Sequence, residues 1–217
     1  MEFLGALLGI MMVNIVLSGD NAVVIALASR SLPPKQQNMA IFWGSAGAII
    51  LRILLTLVAV WLLAIPYLQF CGGILLIWIA AKLLVEEEHE ENIESSSSYI
   101  SAIKTIITAD VVMSLDNTLA IAAIAKGDYL LLGLGLGLSI PLIVFGSKLL
   151  MAIMEKYKWI VYAGAALIAW TAGAMIVHDK EIGVYLQFMP EWVLPAVITA
   201  GILGYGMWAK RRQEEKA

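Results

Sequence analysis

The chain has 217 residues, 61% of them hydrophobic and 14% charged. Soluble domains run at ~45–50% apolar and ~25% charged, so a soluble enzyme is excluded, as are disordered, collagenous and coiled-coil chains. A net charge of -3 argues against a nucleic-acid partner, and the single cysteine, Cys71, rules out an internal disulfide. The mean hydropathy of +0.87 leaves a polytopic membrane protein, with the lipid bilayer as its first partner.

A bilayer core of about 30 Å takes roughly 20 apolar residues per helix. Seven stretches meet that length, at 3–29, 37–64, 66–85, 100–125, 129–154, 157–177 and 191–209. The first opens on Met1-Glu2 without a basic segment and is too long for a cleaved signal peptide. It carries Asn14, Ser18, Gly19, Asp20 and Asn21. The second holds Arg52 and joins the third through a tight turn near Pro66. The long polar stretch Glu86–Ser98 reads as a solvated loop between two halves; its glutamates are an alternative trap for cations. The fourth span carries Asp110, Met113, Ser114, Asp116, Asn117 and Thr118. The fifth carries Gly133, Gly135 and Gly137, which allow close helix contact, and then Pro141, which predicts a kink. Lys148 lies near its far end. Glu155–Lys158 turns tightly into the sixth span, and the seventh precedes a basic tail. Tyr67, Trp159 and Trp192, near span ends, read as interfacial anchors.

The cations orient the protein. Arg30, Lys35, Lys82, Lys104, Lys156, Lys158, Lys210, Arg211, Arg212 and Lys216 fall on one side, and only Lys126 and Lys180 on the other. The positive-inside rule then places the N-terminus outside and the C-terminus in the cytoplasm.

The chain also repeats itself. Asn14-Ile-Val-Leu-Ser-Gly-Asp20-Asn21 aligns with Asp110-Val-Val-Met-Ser-Leu-Asp116-Asn117 at an offset of 96 residues. Asn14 falls on Asp110, Ser18 on Ser114, Asp20 on Asp116, Asn21 on Asn117 and Arg52 on Lys148. After a four-residue slip, Gly72 falls on Gly164 and Trp78 on Trp170. Spans one to three therefore repeat as four to six. Three is odd, so the copies run in opposite directions, as in many secondary transporters. The fold class is all-α: a 3+3 inverted repeat plus one C-terminal helix. Residues 1–85 form the first repeat, 86–99 the linker, 100–179 the second repeat, and 180–217 the last span and tail.

Carboxylates inside such helices are costly, at least ~2.5–3.5 kcal/mol each near the bilayer centre. Asp20, Asp110 and Asp116, with the side-chain oxygens of Asn14, Asn21 and Asn117, are hard donors suited to Mg²⁺, Ca²⁺ or Mn²⁺. Ser18, Ser114 and Thr118 are auxiliary donors. Gly19 is placed to open the helix beside Asp20. The competing reading makes these residues helix caps and interhelical glue, which accounts for single Ser or Asn residues but not for three carboxylates. Six residues separate Asp110 from Asp116, about 240° around a helix. Either the helix breaks near Ser114 or Asp110 serves a second station. Arg52 and Lys148 are candidate counter-ions or gates, with snorkelling to the headgroups as the alternative for Lys148. Met113 offers a thioether that would favour Mn²⁺, although core filling explains it as well.

"NIVLSGDNAVVIALA" and "DVVMSLDNTLAIAA" resemble the paired motifs of the TerC family, and the resemblance extends over essentially the whole chain, to the short bacterial members. It implies a manganese exporter of the bacterial plasma membrane; some relatives supply metal to extracytoplasmic proteins. Asp20, Asn21, Asp116 and Asn117 carry over as metal-site residues, with Asp110 beside them. Longer members have further spans or soluble domains, and roles tied to those parts do not transfer.

The expected function is thus export of a divalent cation, most simply Mn²⁺, as transported substrate with no bound cofactor. A buried carboxylate cluster exchanges protons for metal, which gives a basis for proton antiport. The chain is not expected to be an enzyme. The alternatives are a carrier of Ca²⁺ or an amino acid, and an intramembrane aspartic protease using two facing Asp residues.

Overall fold

A computed structural model of the chain describes residues 2–17, 19–62, 65–85, 96–125, 128–138 and 140–214. Every regular element among the described residues is an α-helix: α1 (Glu2–Leu17), α2 (Gly19–Ser29), α3 (Pro34–Leu62), α4 (Leu68–Val85), α5 (Ser96–Ala125), α6 (Tyr129–Gly137), α7 (Ile140–Lys156), α8 (Trp159–His178), α9 (Gly183–Leu186) and α10 (Val193–Glu214). Five stretches are long and apolar enough to cross a membrane: Pro34–Val58, Leu68–Val85, Gly133–Lys156, Trp159–His178 and Val193–Arg212. The pair Leu4–Asn14 and Gly19–Ser29, bent by 50°, makes a sixth. The sequence predicts seven; the fourth of those is α5, a 30-residue helix carrying Lys104, Asp110 and Asp116.

Two predicted spans are not single rods. The first is divided between α1 and α2. Gly19 opens α2, and a helix-interior glycine costs about 1 kcal/mol relative to alanine, so a break is cheapest there. Asp20 then stands in the first turn of α2, where a carboxylate suits the positive end of the helix dipole, and its Oδ1 accepts from Asn21 N at 2.9 Å. The predicted fifth span is divided between α6 and α7. Pro141 is the second residue of α7, where its missing N–H costs no helical bond. Asp128 caps α6, its Oδ1 accepting from Leu131 N at 3.0 Å. The linker assigned to 86–99 lies outside the described residues as far as 95, and α5 begins at Ser96, earlier than predicted.

The chain forms two compact units, Met1–Ile65 with Ser95–Ala152, and Pro66–Glu94 with Ile153–Ala217. Each takes helices from both halves of the chain.

In the first unit α3 and α5 lie side by side. Ala40 packs in one cluster with Ala102, Gly44 faces Ile106, Gly47 faces Ile107, and Arg52 reaches Asp110. Position numbers rise together on both helices, so the pair is parallel. A Cβ at Gly47 would stand 2.8 Å from Ile107 Cδ1. α2 buries eight of its eleven residues, a helix with no polar face to spare. On the other side Ile10 of α1 packs against Gly135 of α6, within a cluster that includes Ile49, Ile121, Leu131 and Leu136.

In the second unit α4 and α8 are antiparallel. Gly73, near the start of α4, faces Ile176 and Ala172 near the end of α8. Gly173 admits Pro195 of α10, and Gly206 of α10 admits Leu84 of α4. The buried faces of α4 and α8 match at an offset of 92 residues: Gly72 with Gly164, Gly73 with Ala165, Leu76 with Ile168, Ala80 with Ala172, Leu83 with Met175, and Leu84 with Ile176. Trp78 and its counterpart Trp170 are both exposed. Asp179, buried just beyond α8, ties the ends together. Its Oδ1 accepts from Glu181 N and Ile182 N, and its Oδ2 accepts from Phe70 N of α4 at 3.1 Å.

Candidate functional site

Four helical segments of the first unit bring polar side chains into its interior. α1 supplies Asn14, α3 supplies Arg52 and Thr56, and α5 supplies Asp110 and Ser114; all five are buried, Arg52 to 1% exposure. α2 supplies buried Asn21 and half-buried Asp20. Among the described residues Arg52 is the single buried cation.

The Arg52 guanidinium organises the cluster. Its Nη1 donates to Asn14 Oδ1. Its Nη2 donates to Asp110 Oδ1 at 2.5 Å, a charge-assisted bond in a buried ion pair. The second carboxylate oxygen, Asp110 Oδ2, accepts from Ser114 Oγ one turn further along α5, at 3.3 Å. Thr56 Oγ1 donates to the Arg52 carbonyl at 2.7 Å. A rigid planar fork suits this task better than an ammonium would, because it spans two acceptors at once. Asp20 lies close enough to feel the charges of both Arg52 and Asp110.

Asn21 is different. Its Nδ2 and Oδ1 are both buried, and neither has a hydrogen-bond partner among the described residues. A buried polar group left this way costs about 1–3 kcal/mol, so native folds keep few of them.

The structure thus joins Asn14, Arg52, Asp110 and Ser114 by direct contact and sets Asp20 within their field. α5 runs unbroken through position 114. Of the two readings left open for Asp110, the broken helix is therefore set aside, and positions 110 and 116 lie about 240° apart on one helix. The side chains of Asp116, Asn117 and Thr118, and the whole of Ser18, lie outside the described residues. Among the described residues no three His, Cys, Asp or Glu side chains gather in one place. Lys148 does not join the cluster; it is exposed on α7. Met113 is buried in the core. Thr56 went unnoticed in the sequence, though a hydroxyl four residues after a buried arginine is a readable signal. Asp179 also went unnoticed, because an acidic residue just past a span end looks like any loop residue.

Positions 14 and 110 align when the two Asp-Asn motifs are superposed in sequence, and one guanidinium holds both. The comparisons with known proteins agree with the motifs that flank them. The model of the Integral membrane protein TerC family matches residues 1–214. Uncharacterized membrane protein YjbE of Bacillus subtilis (strain 168) is 44% identical over 204 residues, 93% of this chain and 94% of its own. UPF0053 inner membrane protein YgdQ of Escherichia coli (strain K12) is 25% identical over 199 residues, 82% of this chain and 83% of its own. No solved structure matches. With a family match that runs from the first helix to the last, and a relative this similar over nearly its full length, the chain belongs to the TerC family of integral membrane proteins.

Proposed function

We propose that this protein is a secondary transporter that exports a divalent cation, Mn²⁺ in the first instance, in exchange for protons. The observation that carries the reading is the buried Arg52 bridge between Asn14 and Asp110. A buried ion pair rarely stabilises a fold more than apolar residues of the same shape would. Its presence halfway along a membrane helix therefore points to use rather than to stability. In this reading Arg52 is a tethered cation that neutralises Asp110 while no metal is bound. A metal ion entering beside this pair takes oxygen donors from Asp20 and Asn21, with Asp116 and Asn117 from the second motif, while Asp110 and Asn14 serve as a second station that holds the guanidinium. The buried Asn21 amide supports this: among the described residues its oxygen has no hydrogen-bond partner and is available as a metal ligand. An all-oxygen set suits a hard divalent cation. Protons compete with metal for the same carboxylates, so metal released outward is replaced by protons carried in.

The architecture in this reading is seven spans, with α5 crossing the membrane alongside the six apolar spans, in a 3+3 inverted repeat. The matched buried faces of α4 and α8 support the repeat, as does the meeting of equivalent positions 14 and 110. The parallel course of α3 and α5 fits second and fourth spans that cross in the same direction. The membrane is the bacterial plasma membrane, with the N-terminus outside. The reading assigns no enzymatic role. An aspartic protease needs two carboxylates that share a proton, and Asp110 shares a guanidinium instead.

The test is flux. Purified protein in liposomes should take up ⁵⁴Mn²⁺ against a proton gradient of the right sign, and Asp110→Asn should slow or stop it. A wild-type protein that moves no Mn²⁺ under any gradient would end the manganese reading; movement of Ca²⁺ instead would reassign the cargo.

A further inference from the structure

Buried side-chain oxygens that lack a partner gather on two neighbouring helices of the first unit. Among the described residues, Asn21 on α2, Ser29 at its end and Ser45 on α3 have side-chain oxygens with no hydrogen-bond partner. They are 2%, 0% and 3% exposed. Gln36 Oε1, in the first turn of α3, is in the same position, and outside this helix pair only Thr199 Oγ1 of α10 joins them. Ser29 and Ser45 carry the same kind of penalty as Asn21, and an alanine at either place would avoid it.

The helix register lines these groups up. α2 and α3 are joined by a short turn and run antiparallel. Gln37 Nε2 of α3 donates to the Ser29 carbonyl at 3.4 Å, which pins their shared end. Eight residues back from Ser29 is Asn21, and eight forward from Gln37 is Ser45. The two therefore stand level, about 12 Å from that end. Asn21 and Ser29 fall within about 80° of each other on α2. Ser45 lies on the side of α3 that holds Arg52, about 20° from it in projection and roughly 10 Å nearer the turn. Ser29, Ser45 and Asn21 thus form a file of oxygens that leads from the α2–α3 turn to Asp20, on one side of the Arg52–Asp110 bridge. The other side of the bridge is different. There Ile10, Ile121, Leu131 and Leu136 share one apolar cluster. Ile10 lies so tightly on α6 that a Cβ at Gly135 would stand 2.4 Å from its Cγ2.

We infer that α2 and α3 line a one-sided approach route: a hydrated cation reaches Asp20 and Asn21 from the α2–α3 end, past Ser29 and Ser45. The Arg52 bridge and the Ile10 cluster close the way beyond. Neutral oxygens suit the approach, because they replace part of an ion's water shell without holding the ion. The carboxylate at the end of the file supplies the holding charge. The apolar cluster repels a hydrated ion in the way a hydrophobic constriction gates a channel. Arg30 and Lys35 stand near the mouth, but neither is buried, so solvent and salt screen them. The inference rests on the transport reading given above, but not on the identity of the cargo.

The experiment uses the full chain in a Cys71→Ser background, in right-side-out and in inverted membrane vesicles. The probe is trimethylammonium-ethyl methanethiosulfonate, a hydrated cation that does not cross membranes and reacts with thiols. Pro33→Cys, exposed at the turn, marks the preparation that presents the α2–α3 end. Ser45→Cys should react in that same preparation, at least about tenfold faster than Ala40→Cys. Ala40 is as deeply buried as Ser45 and nearer the turn, but it packs with Ala102 of α5. Ile10→Cys should react in neither preparation. If Ser45→Cys does not insert, Ser29→Cys carries the same expectation. Labelling of Ser45→Cys no faster than Ala40→Cys, or only from the opposite face, overturns the route. Labelling of Ile10→Cys at the rate of Ser45→Cys overturns its one-sidedness. These results are distinct from failure of the manganese reading, which appears as absent flux in wild-type protein and leaves the labelling pattern unchanged.

Discussion

Breaking the Arg52–Asp110 pair from each side should have unequal consequences. Replacing Asp110 with leucine leaves a guanidinium that is 1% exposed without its buried carboxylate. Replacing Arg52 with methionine strands a carboxylate, which can neutralise itself by taking a proton, and removes the donor to Asn14, a loss of about 1 kcal/mol. Removing one partner of a buried pair costs roughly 3–5 kcal/mol. Asp110→Leu should reach the upper part of that range and Arg52→Met the lower. For a chain of this size 1 kcal/mol moves Tm by ~2–4 °C, so Asp110→Leu should lower it by about 10 °C or more. The double variant restores neutrality and apolar packing together, as in systems where hydrophobic residues replace a buried ion pair at no loss. It should therefore be more stable than either single variant, with a coupling of about 3 kcal/mol. The assay is thermal unfolding in detergent followed by far-ultraviolet circular dichroism. Additivity of the two single effects to within ~0.5 kcal/mol would refute the pairing as the organiser of the cluster.

If protons and metal share carboxylates, apparent Mn²⁺ affinity should weaken as pH falls from about 8 to about 5.5, because the protonated form cannot bind metal; calorimetry on purified protein checks this, and a flat affinity rejects the competition. For topology, a cysteine at Ser96 in a Cys71→Ser background should react with membrane-permeant reagents only in intact cells, and labelling by an impermeant reagent would invert the assigned orientation. Asp179→Asn keeps one acceptor oxygen but loses the second that Asp179 offers to three backbone N–H groups. A buried donor left unmatched costs about 1–3 kcal/mol, so Tm should drop by several degrees while flux persists; an unchanged Tm would show that the tie between α8 and α4 carries no weight.

Much of this was legible in the sequence, for identifiable reasons. Helix content follows from apolar runs of span length. The division before Asp20 follows from Gly19, and the second division was anticipated by Pro141 a few residues downstream. Arg52 was readable as a buried counter-ion because its depth in an apolar run left few other uses for a charge. Its sharing between Asn14 and Asp110 was not readable, since it depends on how α1, α3 and α5 converge. Nor was the state of Lys148: its alignment with Arg52 predicts a similar environment, yet Lys148 is exposed where Arg52 is buried. The compact units were not readable either, because packing pairs α4 with α8 and α3 with α5, helices distant in sequence.

The unbroken course of α5 makes a graded outcome the sharpest test of how the carboxylates divide their work. On one continuous helix, positions 110 and 116 cannot address a single point, so a metal ion at one is not held by both in this state. Asp110 already has a cation of its own in Arg52. Asp20 and Asp116 head the two Asp-Asn motifs of the sequence. Asn in place of Asp keeps the volume and one oxygen but removes the charge that a hard divalent ion needs in a poorly solvated site. Asp20→Asn and Asp116→Asn should each lose Mn²⁺ binding and flux together. Asp110→Asn should retain binding at Asp20 and Asp116 but turn over slowly, because Arg52 then lacks its resting seat and remains near the site as a competing charge. Binding is read by calorimetry, flux by ⁵⁴Mn²⁺ uptake, and folding by size-exclusion in detergent. If Asp110→Asn abolishes binding as completely as the other two, Asp110 is a direct ligand, and the resting and metal-bound states must differ by a bend in α5 that this conformation does not contain.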